Sequence, residues 1–518
     1  MFESSFVANA CSWLQASVSN SHVTDDPLAT LEYASAEEIE ALLQAICEDM
    51  PRTEISTQRL RLLTQMISVR LRTLLAAAQH ELALIAPSVI EACYVAAHSR
   101  DSRAAAHSLQ LLSLQGDEES IATLADNLNA LPLENWESVG LALSPLWNTG
   151  GEVLEFFFER LGEETWHPAS LAVLLDLANY GIRSGKLRQH PWQQRARQLD
   201  KLLGSAVGQL RLLESDPRKF GDNVSTIQKS LQDSVALVVA LCDALGQLKF
   251  MGARSGLIEA LTLSHRRIQI EAASALARMG DDSGKRRLIE LAGDVAARQR
   301  AVAYADELGF VDEIDEQLRL PHALAESELA SWLAEPSQFG IAPARLELLD
   351  TRVQFWPSYE EPRCCYLFRY WYDFPGGELH NIGIVGPVCH AFQSDMTQFS
   401  YDDIYAAFAG WHAEHEEIFE VPSTLLNAAQ RKEAELLGLR LREHGFEQVE
   451  FLALTFMLGE PALLCRASRG DTAHSAVVDQ NQVVFFPTNE GPSSIPPELV
   501  LSIYRGRKML ESFNRHAE

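Results

Sequence analysis

Through the first 335 residues, leucine, isoleucine and alanine recur at intervals of three and four, as in Ile39, Leu42, Leu43 and Ile46, or Leu60, Leu63, Ile67, Leu71, Leu74 and Leu75. That interval predicts helix after helix, each with one apolar stripe to bury. The interruptions are short: Asp25-Asp26-Pro27, Ala86-Pro87-Ser88, Gln115-Gly116-Asp117, Thr149-Gly150-Gly151, His167-Pro168, Asp216-Pro217 and Gly280-Asp281-Asp282. Such breaks stop one helix and cap the next, so neighbouring helices run antiparallel. Beyond residue 343 the interval shortens to two and aromatic and β-branched residues alternate with polar ones, predicting strands at 346–356, 365–372, 379–385, 449–458, 462–467, 475–479 and 482–486. Helices are expected at 401–419, 423–444 and 497–514. Tight turns at Phe374-Pro375-Gly376-Gly377 and Asp479-Gln480-Asn481 favour antiparallel pairing.

The chain is therefore expected to hold a helical array over 1–335, a linker over 336–343 beginning Pro336-Ser337, and an α+β domain with a mainly antiparallel sheet over 344–518. Internal repetition favours a solenoid over a bundle for the array. Ala244-Leu245-Gly246-Gln247-Leu248 followed by Leu257-Ile258-Glu259 returns 31 residues later as Ala275-Leu276-Ala277-Arg278-Met279 followed by Leu288-Ile289-Glu290. A third copy places Ala301, Ala305, Leu308 and Gly309 as Ala272, Leu276, Met279 and Gly280, and an outlying one sets Leu112, Gly116, Asp117 and Leu124 in the same frame. An alanine-rich helix, then Gly-Asp, then a helix carrying Leu-Ile-Glu resembles the short HEAT-like repeats named after the phycobilisome lyases. The resemblance spans about residues 100–315. It implies an α-solenoid, whose stacked helices commonly present a long surface to another protein.

The formal charge of −28 over 518 residues argues against the whole surface lying on nucleic acid or an anionic membrane. The charge is uneven: residues 183–300 hold 20 Lys and Arg against 12 Asp and Glu, a local +8 that leaves −36 for the rest. With 47% hydrophobic and 22% charged residues the chain can fill a core. No apolar run reaches the roughly 18 residues of a membrane span. Eight scattered cysteines without a CxxC pair, and no Lys or Arg before Arg52, predict reduced thiols and a cytoplasmic location.

The basic clusters Arg266-Arg267 and Lys285-Arg286-Arg287, with Arg298 and Arg300, fall near helix junctions and are the candidate docking edge for an acidic partner. On the expected helix 401–419, His412, His415 and Glu416 stand three and four residues apart on one face, a spacing a divalent metal can use, although the order is not HExxH. Gly383-Ile384-Val385-Gly386-Pro387 lacks the Lys-Ser or Lys-Thr of a phosphate loop, and Cys389 and His390, adjacent on a strand, point to opposite faces. The stripe Tyr366, Phe368, Tyr370, Tyr372 and Phe374 is expected to pack beneath helices.

These features predict a non-enzymatic scaffold or adaptor that contacts another protein through the solenoid. No cofactor is expected. One alternative is an enzyme, either a bilin-lyase-like protein, as the repeat's namesakes imply, or a metal-dependent hydrolase in which His412, His415 and Glu416 meet His380 or His390. A second is nucleic-acid binding by the basic central repeats; HEAT-like repeats also occur in alkylpurine DNA glycosylases, whose catalytic Asp has no motif match here.

Overall fold

A computed structural model describes residues 3–15, 31–49, 55–77, 84–133, 135–162, 167–220, 223–335, 337–413, 418–457, 459–488 and 495–514. The chain forms two compact units, Met1–Leu288 and Ile289–Glu518.

The first unit is helical. Its helices are α1 (Glu3–Gln15), α2 (Ala36–Asp49), α3 (Thr57–Ala77), α4 (Pro87–His98), α5 (Ser102–Gln115), α6 (Glu118–Ala130), α7 (Trp136–Leu143), α8 (Gly151–Leu161), α9 (Pro168–Arg183), α10 (Ala196–Ser215), α11 (Val224–Gln247), α12 (Arg254–Ala260) and α13 (Arg266–Arg278). Helix α14 (Asp282–Leu291) spans the division between the units. The helices fall into two rows. In one, α3, α5, α7, α9, α11 and α13 pack each on the next; in the other, α1, α2, α4, α6 and α8 do so, and α10 packs on α12. The rows join where α4 meets α5, α5 meets α6, α10 meets α11 and α12 meets α13.

Local chemistry explains the joints. Gly116 ends α5 with a left-handed φ of 69°, and the Asp117 carboxylate then accepts from the Ser120 amide to cap α6. Gly280, at φ 80°, and Asp281, which accepts from the Ser283 amide and hydroxyl, repeat this between α13 and α14. The Gly-Asp pair thus acts as the sequence pattern required. Small residues let the rows close: a Cβ on Gly246 of α11 would stand 2.8 Å from the Ala275 Cα of α13. Ion pairs cross from helix to helix, among them Arg61–Asp101, Arg103–Glu137, Arg160–Asp126, Arg211–Glu259 and Arg254–Asp281.

The second unit begins with the end of α14, then α15 (Arg298–Glu307), α16 (Glu316–Arg319) and α17 (Pro321–Leu333). Two antiparallel sheets follow where one was expected. Sheet A orders β1 (Arg345–Gln354), β2 (Arg363–Phe374), β3 (Gly377–Val385) and β4 (His390–Ala391); sheet B orders β5 (Ile418–Pro422), β6 (Glu447–Met457), β7 (Glu460–Arg469), β8 (Thr472–Val478) and β9 (Val483–Pro487). Helices α18 (Tyr401–His412), α19 (Ala428–Glu443) and α20 (Pro497–Asn514) complete the unit. The expected helix over 401–419 is corrected: α18 ends at His412, and Ile418–Pro422 pairs with β6 as a strand.

The layers follow from strand alternation. Phe368, Tyr370 and Tyr372 of β2 pack under Ala325, Leu329 and Leu333 of α17 with Tyr366 half-buried beside them, so the middle of the aromatic stripe is core whereas Phe374 at its end is exposed; Cys365 and Leu367 face α18 and α20. In β7, Ala462 and Leu464 face the same two helices, whereas Leu463, Cys465 and Ala467 face α19. The order is α17, sheet A, the pair α18 and α20, sheet B, α19. One plan is thus used twice, a helix, a four-strand meander and a second helix: α17, β1 to β4 and α18, then α19, β6 to β9 and α20, with β5 added at the edge of β6.

The two closing helices cross at glycines related in the same way. A Cβ on Gly410 would meet the Ser502 carbonyl oxygen, four residues before Gly506, at 1.9 Å; a Cβ on Gly506 would meet the Ala406 oxygen, four residues before Gly410, at 1.7 Å.

Candidate functional site

Arg266 and Arg267 open α13 with exposed side chains, and Lys285, Arg286 and Arg287 lie on α14, where Arg286 is exposed and Arg287 donates to the Gln269 amide oxygen at 2.9 Å. Arg298 and Arg300 belong to the second unit. Arg298 is 8% exposed and donates to the carbonyls of Ala292 and Ala323 and, at 2.6 Å, to the Glu326 carboxylate, so its charge ties α15 to α17. Arg300 leans on Tyr304, its guanidinium carbon 5.6 Å from the ring centroid.

His412 ends α18 and stacks on Tyr359 at 6.4 Å; its Nδ1 is buried and finds no hydrogen-bond partner among the described residues. His415 and Glu416 lie outside the described residues. Among the described residues no group of three His, Cys, Asp or Glu is placed to hold a metal ion. His380 is exposed on β3. His390 instead lies flat on Trp411, centroids 3.9 Å apart, with Phe392, Phe408 and Trp332 presenting edges, and burial lowers its pKa to about 4. Burial, reinforced by Glu328 and Glu335, drives the Cys389 thiol far above its ordinary pKa, so it holds its proton at neutral pH.

A different constellation occupies the first unit, where three consecutive helices of one row bring charges into their packed seam. On α9, Asp176, Asn179 and Arg183 follow one another at helical spacing along one face. Asp243 of α11 is 7% exposed and ion-paired with Arg183; Glu271 of α13 is 1% exposed, one turn after Arg267. Asn179 donates to the Ala240 carbonyl at 3.2 Å, and its amide oxygen accepts from His190 Nε2 at 3.0 Å. Burial, with the charges of Asp243 and Glu271 adding and those of Arg267 and Arg183 opposing, lifts the Asp176 carboxyl to a pKa of about 7. His190 is pushed the other way, to about 4, by burial against the pull of Asp243.

His190 also opens onto a cleft of about 750 Å³ whose walls include Glu155, Phe158 and Glu159 of α8 and Arg188, Trp192 and Arg195 of the segment after α9. Trp192 meets Phe158 edge-on at 5.6 Å. The arrangement offers a carboxyl with its pKa raised to about 7, the charges of Arg183 and Arg267 acting on it, and a cleft with an aromatic wall that His190 lines. The basic clusters were visible as charge; this site was not. Its only local signal is a charged residue inside an otherwise apolar helical run, Leu174-Leu175-Asp176-Leu177 and Leu241-Cys242-Asp243-Ala244.

Compared with known proteins, the chain matches no family model and no curated protein.

Proposed function

We propose that the helical unit is a HEAT-like solenoid that serves as a non-enzymatic scaffold for another protein, with the basic edge of α13 and the start of α14 as the contact surface. The observation that carries this reading is the two-row packing, in which α3 to α13 stack odd on odd while the other helices back them. Stacked rows bury their apolar stripes against each other and leave one long outer face per row. The 31-residue repeat and its Gly-Asp joints support the same architecture. Exposed Arg266, Arg267 and Arg286 give that region positive charge in an otherwise acidic chain, which suits an acidic partner.

The test is affinity capture with the full chain, wild type against the double variant Arg266→Glu/Arg286→Glu. A scaffold retains one protein in stoichiometric amount and loses it on charge reversal. Retention of the same protein by the reversed variant refutes the basic contact surface, and capture of none refutes the scaffold. A second reading, that the helical unit is an enzyme, is favoured by Asp176 alone, a buried carboxyl whose pKa is raised to about 7.

A further inference from the structure

Two thiols in the first unit are set against each other where no function has been assigned. Cys47 lies near the end of α2 and is partly exposed; Cys93 lies in α4 and is 2% exposed. These helices pack directly within one row. The Cys93 thiol donates to the Leu43 carbonyl at 3.2 Å, and Leu43 precedes Cys47 by four residues, so the Cys93 sulfur rests on the turn that carries Cys47. The two thiols are within hydrogen-bonding reach of one another, and all eight cysteines are unbridged. We propose that Cys47 and Cys93 form a peroxide-responsive dithiol that closes to a disulfide between α2 and α4.

The roles divide by environment. The Cys93 thiol beside it lowers the pKa of Cys47 against burial and the charge of Glu48, whereas Cys93 is raised well above the ordinary thiol value by its hydrogen bond to Cys47 and by burial. Cys47 is thus the more acidic and the more accessible sulfur, the pairing that makes a thiol the point of attack. Its thiolate attacks one oxygen of hydrogen peroxide, the O–O bond breaks, and hydroxide leaves while the sulfur becomes a sulfenic acid. The Cys93 sulfur then attacks that sulfur, the S–S bond forms and the S–O bond breaks, and the departing hydroxide takes the Cys93 proton as water. The two thiols lose two electrons between them and peroxide is reduced to water.

Closure ties together two helices that already pack around Leu43, Ile46 and Ile90. Cys364 and Cys365 are adjacent in β2, where strand alternation turns their side chains to opposite faces, and Cys242 is sealed in the core of α11. The test uses the full chain with hydrogen peroxide alone, digestion without reductant, and mass spectrometry of cross-linked and dimedone-labelled peptides. The expected result is a Cys47–Cys93 peptide lighter by two hydrogens, little dimedone on wild type, and a dimedone adduct at Cys47 in Cys93→Ser. Cross-linking of Cys47 to any other cysteine overturns the assignment, as does oxidation of other thiols while this pair stays reduced. Because the wild-type cross-link is itself decisive, poor folding of either variant leaves the test intact.

Discussion

Replacing Gly506 by alanine adds one methyl group at the tightest point of the second unit. The new Cβ would lie 1.7 Å from the Ala406 carbonyl oxygen, 2.5 Å from its carbonyl carbon and 2.8 Å from its Cα. All three are backbone atoms of α18, so no side-chain rotation relieves the clash, and α18 and α20 must part by about 1.5 Å to restore ordinary contact. They are held between two sheets, in a core that includes Ile404, Tyr405, Phe408, Ile503 and Tyr504. Overpacking of this kind costs about 1–3 kcal/mol, and a contact this deep in backbone belongs at about 3 kcal/mol. At about 2–4 °C per kcal/mol for a unit of this size, the melting temperature of the second unit falls by roughly 6–12 °C. The comparison is Gly204→Ala in α10, where the added Cβ meets nothing within 4 Å and helix propensity alone operates, raising stability by about 1 kcal/mol. Urea and thermal unfolding of both variants measure the difference. A cost below about 0.5 kcal/mol for Gly506→Ala, or equal effects at the two sites, refutes the close crossing.

Asp479, 2% exposed, accepts from the Tyr504 hydroxyl, from Lys508 and from the amides of Asn481 and Gln482; burial opposes its charge, yet these partners hold its pKa below the ordinary value. Its contribution is therefore present above the unfolded carboxylate pKa of about 4 and lost as pH falls through the folded value. Asp479→Ala, which leaves Lys508 with Glu460 alone and takes the acceptor from the Tyr504 hydroxyl and the amides of Asn481 and Gln482, costs about 3 kcal/mol by urea denaturation at pH 7. Asp176 behaves oppositely: with its folded pKa raised to about 7, stability is full below the unfolded pKa and declines as pH rises from about 4 to 7, so Asp176→Asn is more stable than wild type at pH 8, by on the order of 3 kcal/mol. His390, lowered to about 4 by burial, costs stability as pH falls from about 6.5 towards 4, when only the unfolded chain takes up the proton; His390→Phe flattens that part of the pH profile in thermal melts.

Features set by neighbouring residues were legible in the sequence. Gly116-Asp117 and Gly280-Asp281 announce a left-handed stop and a cap because both needs are met within four residues. The two faces of β2 could be assigned from alternation alone, and the turn at Asp479 from a carboxylate that serves the two amides after it. Strand β4 escaped because two residues carry no periodicity, and β5 because Trp411, His412 and the acidic residues after them keep helical spacing past the point where the helix ends. Charge was legible as composition but not as placement. Arg298 shares the polarity of Arg300, yet the carbonyls of Ala292 and Ala323 and the carboxylate of Glu326 converge on Arg298 and make it interior. The cluster of Asp176, Asp243 and Glu271 depends on three helices, and its carboxylates stand 67 and 28 residues apart, far beyond the three- and four-residue spacings by which a helical face is read.

The doubled plan of the second unit was hidden for a related reason. The two halves share topology, and topology depends on where polar and apolar positions fall rather than on which residues fill them. At one point the halves do share chemistry. Gly410 lies over the carbonyl four residues before Gly506, and Gly506 over the carbonyl four residues before Gly410, so each helix offers the other the same notch and the same ridge. A self-complementary contact of this kind is what two identical subunits make across a twofold axis. Here it occurs within one chain, and the close approach needs a glycine on both helices at once. Changing either glycine should therefore damage the same interface, with Gly410→Ala and Gly506→Ala costing similar energies and the double variant costing less than their sum, because helices already parted by one methyl leave room for the second.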